Sequence, residues 1–343
     1  MIVLRRRWLV GLLAALGIRR ANAAFGDDEV LPRGVTPAPP AERLVGIGYQ
    51  LWHYSPNWPD WVEVWGKPQL GYYASADPAV IRQHAVWLSG AGVDFILLDW
   101  SNQIGADDRV RRGLKWQLSI EDATRVLFDE YVRLPHRPKV AFLIGIPRDV
   151  KALGDGRLQA KADQVYDEYV RDPARRPLIQ DHLGKPLLVV YVDTPSPFQN
   201  GPPPWNDARF TVRFMTGFLS QQPSLLGPGR ISRFGYWSWE DRGPPTFPVV
   251  DGHPEVMTVV PAWRADAGRI PSPGRRHGAT FREEWALARR IGPRIALANS
   301  FNEWRRSEQP SADESKDIEP SEAFGTFYLD ILREQAALFK EGR

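Results

Sequence analysis

Short, nearly continuous apolar runs recur along this chain, and amphipathic stretches separate several of them. Runs at 44–50, 92–99, 139–146, 186–193, 210–218, 234–239, 256–262 and 294–301 have the length and the β-branched or aromatic content of strands. They are apolar at successive rather than alternate positions, so both faces of each strand should be buried, as in a parallel sheet covered by helices. Helical periodicity marks 78–90, 121–133, 158–171, 279–291 and 322–340. The first of these opens on Asp77 as N-cap with Pro78 at the first helical position. Eight strands interleaved with helices predict an α/β fold, a single-domain (β/α)8 TIM barrel. Between the fifth, sixth and seventh strands the chain is Pro-rich and shows no clear helix.

The barrel accounts for residues 42–343, and the remainder reads as targeting and tether. Arg5, Arg6 and Arg7 precede an apolar run at 8–18, and Ala21-Asn22-Ala23 matches a small-residue cleavage site, so 1–23 is expected to be an export signal peptide. Arg5-Arg6-Arg7-Trp8-Leu9 is also similar to a twin-arginine signal. The apolar run is too short to span a bilayer, so no stable membrane anchor is expected after cleavage. Residues 24–41 form a Pro-rich linker. With no cysteine there is no disulfide framework to separate a periplasmic from a secreted destination.

Composition narrows the function classes. Hydrophobic residues make up 43% and charged ones 25%, as in a soluble domain with a sizeable core. The net charge of +3 depends on the leader: without its five arginines, 39 basic residues face 41 acidic ones, so no footprint for nucleic acid survives. Six scattered histidines show no zinc-binding spacing, and there is no Gly-x-Ser-x-Gly elbow or phosphate-cradling loop. No metal and no cofactor is expected. Fourteen tryptophans are many for 343 residues and offer stacking platforms for sugar rings as well as core material.

If the barrel is right, residues just past each strand share its C-terminal rim, where such folds keep their reactive groups. These are Trp52, His53 and Tyr54; Asp99 and Trp100; Asp193; Trp239, Glu240 and Asp241; Trp263; and Asn302, Glu303 and Trp304. The loop after the last strand adds Glu308, Asp313, Glu314, Asp317 and Glu319. Carboxylates beside aromatics suit glycoside hydrolysis, in which one acid gives a proton, another stabilises or traps the cationic sugar, and a ring packs on the substrate. Two readings stand for several of them. Glu303 is either functional or ion-paired with Arg305 or Arg306. Asp241 belongs to the rim or to a solvated loop, and Glu319 contacts sugar or caps the last helix.

Several segments resemble glycoside hydrolase family 99 and its bacterial relatives, the endo-α-mannosidase group of (β/α)8 barrels. They are GYYASADPAVIRQHAVWLSGAGVDFILLDW at 71–100, KVAFLIGIP at 139–147, LLVVYVD at 187–193, and above all SFNEW at 300–304 followed by IEP at 318–320. The resemblance implies that Glu303 acts as a base on the substrate 2-hydroxyl, with the proton donor three positions later. That position here is Arg306, whose guanidinium cannot surrender a proton near neutral pH. The nearest following acid, Glu308, is the first candidate replacement, and an acid from another strand is the next. The function expected is an exported, retaining, cofactor-free hydrolase of an α-linked oligo- or polysaccharide. The alternative is a barrel that binds envelope or capsule glycan without cleaving it.

Overall fold

The computed structural model describes residues 31–57, 61–104, 116–146, 150–193, 195–198, 200–266 and 270–343. The expected export signal at 1–23 and the first part of the expected linker lie outside the described residues. Eight parallel strands form the sheet: β1 (Leu44–Tyr49), β2 (Phe95–Trp100), β3 (Lys139–Gly145), β4 (Lys185–Tyr191), β5 (Thr211–Thr216), β6 (Trp237–Ser238), β7 (Val256–Val259) and β8 (Ile295–Ala298). Their order runs β7-β8-β1-β2-β3-β4-β5-β6, which brings the two ends of the sheet together. Thr258 Oγ1 on β7 donates to the Ser238 carbonyl of β6 at 2.5 Å, so the barrel is nearly closed.

Among the described residues five α-helices accompany the strands: α1 (Pro78–Gly90), α2 (Trp116–Tyr131), α3 (Arg157–Val165), α4 (Ala279–Ile291) and α5 (Phe327–Lys340). Asp77 caps α1 by accepting the Ala79 N–H at 2.8 Å. After β4, β5 and β6 come 3-10 turns, extended Pro-rich chain and one small antiparallel pair instead of helices. Proline removes the N–H that a helix interior requires, which explains the gap in the outer ring. One boundary differs from expectation in a way that matters below. Helix α5 begins at Phe327 rather than at 322, because the chain from Ser321 to Gly325 closes a turn of its own.

The apolar strand runs bury two separate surfaces. Val45, Ile47, Tyr49 and Trp100 face the helices, whereas Phe95, Leu97, Leu143, Val189, Met215 and Leu297 fill the barrel. Gly46 belongs to the inner set: a Cβ there would meet the Phe95 ring at 2.4 Å. A buried polar network lies at the barrel's N-terminal end. Glu255 accepts from Arg213 Nε at 2.8 and 2.9 Å and from Trp237 Nε1 at 2.9 Å, and it pairs with His182 Nε2 at 2.8 Å. Burial opposes its charge, but His182 and Arg213 outweigh that and bring its pKa down to about 2.

Glu255→Gln leaves the partly buried Arg213 charge without its counter-ion. A loss of about 3–5 kcal/mol in unfolding free energy is expected by urea denaturation, and an unchanged midpoint would rule out this network as a structural anchor.

Candidate active site

The end of β8 is fixed by side chains that grip backbone. Asn302 Oδ1 accepts the Gln50 N–H at 2.9 Å and its Nδ2 donates to the Gln50 carbonyl at 3.0 Å, which ties the exits of β8 and β1 together. Asp317 holds the next turn: Oδ1 accepts the Glu303 N–H at 2.6 Å and Oδ2 the Trp304 N–H at 2.8 Å. The loop carrying Asp317 is in turn held by Arg275, buried with its guanidinium 4.0 Å from the Tyr328 ring centre. Its Nε donates to the Ser315 carbonyl at 2.7 Å and its Nη2 to the Asp317 carbonyl at 2.6 Å. Burial lowers the pKa of Arg275 to about 10, which still leaves it charged near neutral pH.

On this frame Glu303 is only 5% exposed, yet its two oxygens differ. Oε2 lies 2.9 Å from Lys316 Nζ and 3.4 Å from Ser300 Oγ, and it accepts from Gln309 Nε2 at 3.2 Å. Among the described residues Oε1 takes no hydrogen bond. Lys316 Nζ also lies 3.1 Å from Glu240 Oε2, whose Oε1 accepts from Arg242 Nε at 2.7 Å. The result is a chain of four buried groups in which acids and bases alternate. Burial pushes the Glu303 carboxyl up to about 7; Lys316 opposes the rise, while the charges of Asp317 and Glu308 add to it. For Lys316 burial disfavours the charge, but Glu303 and Glu240 more than compensate and it holds its proton firmly.

Other rim groups share this field. Half-buried Asp99 is shifted upward by burial, with Lys316 opposing. Tyr191 is raised by burial and then by Asp193 and Asp99, with a smaller contribution from Glu308. Asp193 and Glu308 themselves are exposed. Trp239 belongs to the same group, with Lys316 Nζ 5.9 Å from its ring centre. Thus the structure gathers Glu303, Asn302, Glu240, Trp239, Asp99, Asp193 and Glu308 around one barrel mouth.

The other expected site residues have the following surroundings. Trp100 points to the helix side, donating from Nε1 to Thr124 Oγ1 at 2.9 Å, because alternation along β2 sends Asp99 inward and its neighbour outward. Trp304 is fully buried, stacked on Trp65 and donating to Glu319 Oε2 at 2.6 Å. Its backbone lies in the left-handed region at φ +60°, which turns the indole away from the mouth. Glu319 caps no helix. It accepts from Tyr73 OH at 2.8 Å and contacts His84 Nε2 at 3.0 Å, well before α5 begins. Asp241 is neither solvated nor on the mouth: it accepts from Ser238, Thr246 and the Ser220 N–H and closes its own turn. His53 is buried and stacked on Trp61, Trp52 is half-buried beside it, and Tyr54 is exposed. Trp263 is 8% exposed and donates to the Pro271 carbonyl. The ion pair foreseen for Glu303 forms with Lys316, while Arg306 is exposed. Lys316, Tyr191 and Gln309 were missed by sequence reasoning; a lone lysine within a run of acids was the one available signal.

No protein-family model matches the sequence, and no curated protein matches it. Solved structures do. The GH99 endo-α-mannosidase from Bacteroides thetaiotaomicron aligns at a TM-score of 0.58 and 16% identity, covering 87% of this chain and 98% of that one. The structure of that enzyme in complex with bis-tris-propane aligns at 0.57 and 17%, covering 87% and 97%. A glycoside hydrolase-like protein aligns at 0.50 and 16%, covering 92% and 98%. This chain therefore has the family 99-like barrel fold over most of its length.

The raised pKa of Glu303 carries a stability consequence. Between its ordinary value of 4.5 and about 7 the folded protein holds a proton at this residue that the unfolded chain has released, so stability falls as pH rises through that window. The fall should be on the order of 3 kcal/mol. Urea unfolding of wild type and Glu303→Gln across pH 4 to 8 should show the extra decline in wild type only; parallel curves would contradict the shift.

Proposed function

We propose that this protein is an exported, retaining and cofactor-free glycoside hydrolase acting on an α-linked, α-mannoside-like glycan. One observation carries the reading: a buried carboxylate at the mouth of a family 99-like barrel has one oxygen that takes no hydrogen bond among the described residues. Glu240, Asp317, Glu319 and Glu255 are buried too, but each has both oxygens bonded, as a structural carboxylate should. An oxygen left open while its partner is clamped is suited to take a proton from a substrate hydroxyl. A pKa near 7 balances availability of the base against its strength at neutral pH.

In this reading Glu303 takes the proton of the 2-hydroxyl and so strengthens that oxygen as a nucleophile. Glu308, exposed and close enough for its charge to act on both Glu303 and Tyr191, gives a proton to the departing glycosidic oxygen. Asp99 and Trp239 stand where they could contact the sugar. A second reading, binding without cleavage, is favoured by Arg306 at the position where the family resemblance places an acid.

Incubation with a panel of α-mannans and α-glucans should release new reducing ends. Glu303→Gln should lower turnover by about 10²–10⁴-fold while glycan binding remains measurable. Glu308→Gln should also slow turnover, least for substrates with a good leaving group. Binding without any new reducing end in wild type would establish the second reading instead.

A further inference from the structure

Lys316 has no part in the chemistry above, yet its placement is unusually specific. Its backbone N–H donates to Gln309 Oε1 at 3.0 Å, its carbonyl accepts from the Ser300 N–H at 3.3 Å, and its ammonium sits between Glu303 and Glu240. Gln309 is oriented by the same contact, because an amide whose oxygen accepts from Lys316 N and Ser315 Oγ must direct its NH₂ elsewhere. That NH₂ donates to Oε2 of Glu303. Among the described residues, the ion pair and both side-chain hydrogen bonds to Glu303 therefore converge on Oε2. A buried ion pair by itself contributes little net stability, since desolvation offsets the attraction, so stabilising the fold is a poor reason for this arrangement.

We propose that Lys316 is a positioning residue: it holds Oε2 of Glu303 toward Glu240 and leaves Oε1 as the atom that meets a sugar hydroxyl. The proposal rests on the reading of Glu303 as the working base. The charged groups bearing on the pair are Asp317 and Glu308 around Glu303, and Glu240 and Asp99 around Lys316; Arg242 anchors Glu240 from the far side. Glu240 competes with Glu303 for the same ammonium. Removing the lysine and removing its competitor should therefore move Glu303 in opposite directions.

The test is a ¹³C NMR titration of the Glu303 carboxyl in glutamate-labelled full-length protein, with Glu303→Gln assigning the resonance, alongside pH profiles of glycan turnover. Lys316→Met should raise the Glu303 midpoint by about 1–3 pH units and shift the acid limb of turnover upward with it. Lys316→Arg should restore both, and Glu240→Gln should lower the midpoint. A midpoint unmoved in Lys316→Met, or in Glu240→Gln should the first variant not fold, overturns the proposal. If the midpoints shift as expected while wild type cleaves no glycan, the lysine clamp stands and the hydrolase reading is what fails.

Discussion

A lysine ammonium buried between two carboxylates is stable only if each charge has a partner and no partner can leave. Desolvating any one of Glu303, Lys316 and Glu240 alone would cost several kcal/mol, so the three must be brought together by the fold itself. Here they come from distant parts of the chain: Glu240 from the exit of β6, Glu303 from that of β8, and Lys316 from the loop that returns across the mouth. Each element is fixed by backbone contacts rather than by the charges. Asn299 Nδ2 donates to the Trp239 carbonyl at 2.7 Å and joins β8 to β6, while Asn302 joins β8 to β1. The charges then settle into a geometry that the barrel has already imposed.

The same logic explains why so many carboxylates near the mouth have no chemical task. A loop of more than twenty residues after β8 cannot bury its backbone without internal partners. Asp317 supplies two acceptors to backbone N–H groups, Arg275 caps two carbonyls, and Glu319 secures Trp304, Tyr73 and His84. These residues build the wall behind Glu303. What distinguishes Glu303 from Asp317, Glu319 and Glu240 is incomplete satisfaction, a property of hydrogen-bond geometry rather than of residue type.

This also marks how far the sequence could be read. The eight strands, five helices and helix-poor side were legible because apolar runs and proline act locally. Asn302-Glu303-Trp304 stood out because a carboxylate at the end of a buried run is costly. The pattern could not tell which side of β2 takes Trp100 and which takes Asp99, since a strand buried on both faces gives no polar alternation to set the phase. Nor could it show that Trp304 turns back into the core, which depends on one left-handed backbone angle. Lys316 was obscured among acids because its partners lie 13 and 76 positions away in sequence.

The most direct measurement is a structure of the Glu303→Gln protein with an α-linked mannooligosaccharide. A pyranose at the barrel mouth with a hydroxyl within about 3 Å of the unclamped end of residue 303, Lys316 still on the other, is the expected result. A sugar bound away from the mouth, or a side chain of the protein filling the space beside that oxygen, would contradict it.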